Sequence, residues 1–221
     1  MDDLKKKGRM AGLWYLLSSV PAPFSLLYIP GRMLVKGDPA ATADRIRAGE
    51  WLFRLGIAAE LLSATLFVFV GLAMYELFKE FDRKMALVLL VLVLLSVPIS
   101  YLNELNRIAA LTLALGHQGD AQALFYFERH QWGLDLAQVF WGLWLLPLGM
   151  LVLRSGYIPR VLGVLLLLAG AGYVAASATH LLWPAAHHTV FMIAGVLGGL
   201  AEAPTMFWLL IAGAGARRSP S

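Results

Sequence analysis

Ten side chains in this sequence pair a chemistry-bearing group with apolar surroundings: Arg54, Glu60, Asn103, Glu104, Arg107, His130, Asp135, Gln138, His180 and Glu202. An ionisable group at the centre of a bilayer costs about 2.5–3.5 kcal/mol on insertion scales, so such groups face a bundle interior or a wet cavity. Several share helical faces. Asn103 and Arg107 stand at i,i+4, and Glu104 and Arg107 at i,i+3. Gln131, Asp135 and Gln138 repeat that pattern, Tyr173, Ser177 and His180 stand at i, i+4, i+7, and Glu202 and Thr205 flank Pro204.

Three chemistries fit. The leading one is binding or transport of a small anionic or amphipathic molecule. Arg54 and Arg107 suit a carboxylate or phosphate, because guanidinium pairs bidentately with both. Glu60, Asp135 and Glu202 suit a proton or a cation. The alternative is a metal-dependent intramembrane hydrolase acting on a lipid-like substrate. His130, Asp135 and His180 are its candidate zinc ligands, with His187, His188, Glu104 and Glu202 as further donors. Three such ligands plus water make a catalytic zinc site, although no His-x-x-x-His spacing is present. Haem held between His130 and His180 is the weaker cofactor reading. Against all of these stands plain interhelical glue: Glu104 with Arg107 or Arg54, and Asp135 with Gln138, at about 0.6–2 kcal/mol each. On that account the chain is a non-catalytic membrane partner protein.

The elements that position these groups follow from composition. The 221 residues are 59% apolar and only 14% charged, with mean hydropathy +0.70. Soluble domains run at about 45–50% apolar and 25% charged, so a water-soluble globule is excluded. The absence of cysteine excludes disulfides, thiolate metal sites and cysteine nucleophiles. Net charge is +4. In a membrane protein this reads as cytoplasmic loops, not nucleic-acid binding.

A spanning helix needs about 20 apolar residues. Six runs qualify, at about 10–29, 51–78, 84–115, 131–153, 158–183 and 189–212. The expectation is an all-α, polytopic six-helix bundle forming one membrane domain over 1–221. The third run would rise about 48 Å if straight, with Pro98 as a kink. The loop at 30–50 carries turn signals and a short interfacial helix over Pro39–Gly49. The prolines at 21 and 23 argue for a retained first helix and against a cleaved signal.

Lys and Arg set the orientation. With the N-terminus inside, inner segments hold Lys5, Lys6, Lys7, Arg9, Lys79, Arg83, Lys84, Arg154, Arg160, Arg217 and Arg218. Outer loops hold Arg32, Lys36, Arg45, Arg47 and Arg129. Both termini are therefore expected in the cytoplasm. The embedded polar groups then share the outer half of the bundle, as a pocket lined by spans two to six. His130 falls at the mouth of span four, His180 at the outer end of span five, and His187 and His188 in the short outer loop after span five. The Trp residues read as membrane belts. Gly195-x-x-x-Gly199 reads as a close-packing device or a dimer face. Membrane lipids, a small-molecule ligand and a homo-oligomer are the expected partners.

Five blocks carry a resemblance. They are Arg9-x-x-Gly12-x-x-Tyr15-Leu16; Gly37-Asp38-Pro39-Ala40-Ala41-Thr42-Ala43 leading into Leu52-Phe53-Arg54-Leu55-Gly56; His130-x-x-Gly133-x-Asp135; Arg154-Ser155-Gly156-x-x-Pro159-Arg160-x-Leu162-Gly163; and Glu202 before Trp208-Leu209-Leu210. Over nearly the whole chain these resemble the bacterial membrane-protein family catalogued as domain of unknown function 4386. The resemblance implies a six-helix bacterial integral membrane protein of the cytoplasmic membrane. It implies no particular activity.

Overall fold

The computed structural model describes residues 2–117 and 119–215, and it is all helical. Arg217 and Arg218, counted above for orientation, lie outside the described residues. Among the described residues, five helices are long and apolar enough to cross a membrane: Asp3–Met33, Glu50–Leu115, Asp120–Ser155, Arg160–Leu182 and Pro184–Ile211. With the shorter Pro39–Ala48, they are labelled in chain order α1 (Asp3–Met33), α2 (Pro39–Ala48), α3 (Glu50–Leu115), α4 (Asp120–Ser155), α5 (Arg160–Leu182) and α6 (Pro184–Ile211).

Local chemistry explains most of the boundaries. Asp38 caps α2 by accepting the Ala41 N–H at 2.9 Å, and Pro39 fills the first turn. Thr42 locks the preceding loop, accepting the Val35 N–H at 3.0 Å and donating to its carbonyl at 3.1 Å. Arg47 ties α2 down by donating to Asp120 at 2.9 Å and to the Ala114 carbonyl at 2.8 Å. The Asp120 and Asp44 carboxylates raise its already high pKa further. Within α1, Pro21 and Pro23 remove backbone donors, and the helix widens into a π-turn over Phe24–Tyr28.

The 66 residues of α3 would extend about 99 Å if straight, three times the hydrocarbon thickness. The helix is broken at Asp82, whose φ of −148° and ψ of 89° are non-helical. Its carboxylate caps the second arm through the Met85 N–H (3.0 Å) and pairs with Arg154 (2.9 Å). The two arms correspond to the spans expected at 51–78 and 84–115. Pro98 lies inside the second arm without a non-helical residue beside it, so the break is at Asp82 and not at the proline.

Two expected boundaries need correction. α4 starts at Asp120, eleven residues before the expected Gln131, so His130 lies well inside a helix and not at its mouth. α6 starts at Pro184, so His187 and His188 belong to its first turns and not to a loop. In the first case the polar run Glu128–Gln131 interrupts the apolar residues on either side and hides helix from a hydropathy window. In the second, proline is well placed to open a helix.

Two compact units make up the chain. Unit one takes the chain up to Leu16, Leu66–Ser96 and the chain from Asp135 onward. Its core holds Trp144, Leu145 and Leu148 with Phe78, Leu89 and Leu166. Close glycine contacts set its helix register. A Cβ on Gly142 would lie 2.5 Å from the Gly170 carbonyl oxygen, and one on Gly149 would lie 2.9 Å from that of Gly163. These pairs step seven residues apart in opposite chain directions, so α4 and α5 run antiparallel with their backbones nearly touching, as small residues allow in membrane helices. Gly8 and Gly12 bring α1 equally close to Ala214 and Leu210. By contrast, a Cβ at Gly195 or Gly199 would meet nothing within 4 Å, so the expected Gly195-x-x-x-Gly199 packing is not made inside the chain. Gly156 (φ 69°) ends α4 in the left-handed region, and Pro159 precedes α5.

Unit two comprises Leu17–Thr65 and Val97–Leu134. Its core packs Ile29, Ile46, Phe53, Ala110 and Phe127. The Phe53 and Phe127 rings meet edge-on at 5.2 Å.

Candidate functional site

Most of the ten candidate residues resolve into groups within the two units, while Arg54 and Gln138 stand apart. In unit two, Glu104 and Arg107 lie one turn apart on the second arm of α3, both fully buried. Arg107 Nε donates to both carboxylate oxygens (3.1 and 2.9 Å), and Nη2 donates to Oε1 (2.8 Å). The rest of the guanidinium is also engaged. Nη2 reaches Ser25 Oγ at 2.7 Å and the Gly56 carbonyl at 3.1 Å, and Nη1 reaches the Ser25 carbonyl at 3.3 Å. Ser25 sits in the π-turn of α1, where the altered ladder presents both its hydroxyl and its carbonyl to the arginine. His130 Nε2 meets Glu104 Oε1 at 2.7 Å. Asn103 donates to the His130 carbonyl at 3.0 Å, and Gly133 leaves the room that Asn103 occupies.

Glu60 completes this group. It is 6% exposed, and the Ser25 hydroxyl faces it. Its Oε2 is buried with no hydrogen-bond partner among the described residues. Glu104 already takes the one nearby arginine, so the cluster holds two carboxyls for a single permanent cation.

Arg54 stands apart. It is exposed and pairs with Glu50 one turn earlier, at 2.7 Å. Arg107 therefore offers no unoccupied fork to an anion, whereas Arg54 engages Glu50 through Nε and Nη2 alone among the described residues.

Unit one holds two further groups. The Ser177 hydroxyl donates to the Asp135 carbonyl. This pair continues the seven-residue steps of the glycine contacts, Asp135–Gly142–Gly149 against Ser177–Gly170–Gly163. One turn beyond Ser177, His180 Nδ1 comes within 3.2 Å of Asp135 Oδ2, and His187 Nε2 lies 3.6 Å from the same oxygen. Asp135, His180 and His187 offer ligand atoms within 4.8 Å of one another. The ligand set expected from sequence was His130, Asp135 and His180. His130 is instead engaged by Glu104, and His187 joins the other two. Glu202, on α6, accepts from the Tyr15 hydroxyl at 2.5 Å and the Tyr173 hydroxyl at 3.0 Å. Gly198, one turn before it, leaves space for the Tyr173 ring. Helix α6 continues through Pro204, and Thr205 donates back to the Ala201 carbonyl at 2.7 Å. Gln138 is buried, and its Oε1 has no hydrogen-bond partner among the described residues.

Ser25 and Tyr15 are thus central residues that sequence reading placed outside the candidate set, and His187, weighed there as a further metal donor, takes the place expected for His130. The twin prolines before Ser25 were the available signal for the first. Tyr15 lies in the first resemblance block. His187 was obscured by its assignment to a loop.

A family profile described as a domain of unknown function, DUF4386, matches residues 10–213. An uncharacterised protein of Archaeoglobus fulgidus is 40% identical over 79 residues, which is 34% of this chain and 45% of that protein. The match therefore spans just under half the length of that relative. No solved structure matches. With nearly the whole chain covered by the profile, this protein belongs to the DUF4386 family.

Proposed function

We propose that the chain is a multi-pass protein of the cytoplasmic membrane, with both termini inside, that binds or transports a small amphipathic molecule at the Glu60 group of unit two. The excess of Lys and Arg on one side of the spans supports the orientation. That orientation puts Glu60, Glu104, Arg107 and His130 in the outer half. His130 then lies about 15 Å along α4 from its outer end.

The observation that carries the reading is the buried, unpartnered Oε2 of Glu60. A carboxyl oxygen shut away from water without a donor costs about 1–3 kcal/mol or more. Proteins retain such groups where a ligand, an ordered water or ion, or an exchanging proton supplies what is missing. An amphipathic molecule with an amine, amide or hydroxyl donor meets that need. A purely anionic ligand does not, because Arg107 is engaged by Glu104, Ser25 and Gly56, and Arg54 stands apart from this group on Glu50.

Mass spectrometry of small molecules extracted from the purified protein tests this. A low-mass amphipathic species should accompany the wild-type chain and be lost from Glu60→Gln, which keeps the shape but removes the charge. Identical extracts from the two proteins would sink the proposal.

A further inference from the structure

We propose that Asp135, His180 and His187 bind one zinc-class divalent transition-metal ion, leaving a coordination position open. The site lies in unit one and stands independently of the Glu60 reading.

The distances fit. Zinc takes histidine nitrogen and carboxylate oxygen at about 2.0–2.1 Å in a tetrahedron, whose ligand–ligand edge is then about 3.3–3.4 Å. Asp135 Oδ2 stands 3.2 Å from His180 Nδ1 and 3.6 Å from His187 Nε2, on either side of that edge. The three donor atoms lie within 4.8 Å of one another, so closing the third edge needs only small side-chain rotations.

His187 supplies a second argument. Its Nδ1 lies 3.1 Å from the Ala176 carbonyl oxygen, which can only accept, so Nδ1 carries the hydrogen. In the neutral ring the Nε2 lone pair then faces the Asp135 carboxylate. Two electron-rich atoms 3.6 Å apart call for a cation between them, either a metal ion or the proton of an imidazolium. Orienting a ligand imidazole through its other nitrogen is also how metal sites hold histidines. Two nitrogens with one oxygen suit zinc and its transition-metal neighbours, whereas magnesium and calcium take oxygen.

The fold builds the arrangement. The α4–α5 glycine contacts and the Ser177–Asp135 hydrogen bond fix Asp135 beside His180, and the tight turn at Trp183–Pro184 brings His187 back onto them. Side-chain exposures of 18–24% leave an ion a way in. With three protein ligands, the fourth position is free for water, the arrangement of hydrolytic zinc centres.

The competing account is a metal-free Asp135 held by imidazolium ions. Elemental mass spectrometry on the full chain, purified in detergent without a histidine tag and offered zinc, separates the two. The site predicts about one zinc per chain. Asp135→Ala and His187→Ala should each lower occupancy at least about tenfold. His188→Ala, at an exposed neighbouring position, should leave it unchanged, as should Glu60→Gln. On the wild-type chain, zinc but not magnesium should raise the melting temperature, and a chelator should reverse the rise. Folded wild-type protein carrying less than about a tenth of an equivalent of zinc would overturn the proposal, as would full occupancy in the Asp135 and His187 variants.

Discussion

Replacing Arg107 with Ala should damage this protein far more than replacing Arg54 with Ala. Both arginines lie in apolar runs and both pair with a glutamate. Arg107 is fully buried and makes six hydrogen bonds, three to Glu104 and three to Ser25 and Gly56. Removing it strands Glu104 with only His130 as partner. Breaking a buried pair from one side costs about 3–5 kcal/mol. At about 2–4 °C per kcal/mol for a chain of this size, the melting temperature should fall by about 6–20 °C. Arg54 pairs with Glu50 at an exposed i,i+4 position, where about 0–1 kcal/mol is at stake. Arg107→Lys should recover little, because an ammonium cannot reach Glu104, Ser25 and Gly56 together. The double variant Glu104→Ala/Arg107→Ala should lose less than the two single losses combined, since no charge is left stranded. Thermal melts in one detergent, followed by the monodisperse fraction after heating, would measure all of these. If Arg107→Ala melts within about 2 °C of Arg54→Ala, the buried pair is not the cross-link that its geometry suggests.

Other substitutions probe the remaining contacts. Gly142→Ala should cost about 1–3 kcal/mol by forcing a methyl against the Gly170 carbonyl, while Gly195→Ala should stay within about 0.5 kcal/mol, because open space surrounds it; paired melts would show the contrast. Asp82→Ala should cost about 0.5–2 kcal/mol through loss of the cap on Met85, and Asp82→Asn should recover most of it, as read from denaturant midpoints. Tyr15→Phe and Tyr173→Phe should each cost about 1.5–3 kcal/mol by removing a donor from Glu202. A double-mutant cycle on melting should be non-additive, and strict additivity would count against a shared carboxylate.

Much of the fold was legible in the residues, for local reasons. Long apolar runs announce helices in a membrane because the backbone must satisfy itself within each segment. The Asp38-Pro39 start, the Asp82 break and the Gly156 stop are capping chemistry confined to a few residues. The Glu104–Arg107 pair follows from one helical turn. Legibility failed where polar residues interrupt a helix, as over Glu128–Gln131, since hydropathy then mimics a loop. It failed again at His187, where a proline that opens α6 reads equally well as part of a loop.

The partners of the chemistry-bearing groups were another matter. That Arg107 is saturated depends on a π-turn about eighty residues away in the chain and on the Gly56 carbonyl. That Asp135 meets His180 and His187, while His130 turns to Glu104, depends on helix register. Glycines at seven-residue steps set the register of α4 against α5 by letting the two touch backbone to backbone, and Gly133 makes room for Asn103 where α4 meets α3. Periodicity shows which side chains share a face of one helix. Which face meets which neighbour, and at what height, is decided by how the helices fit together, and only the tertiary structure carries that.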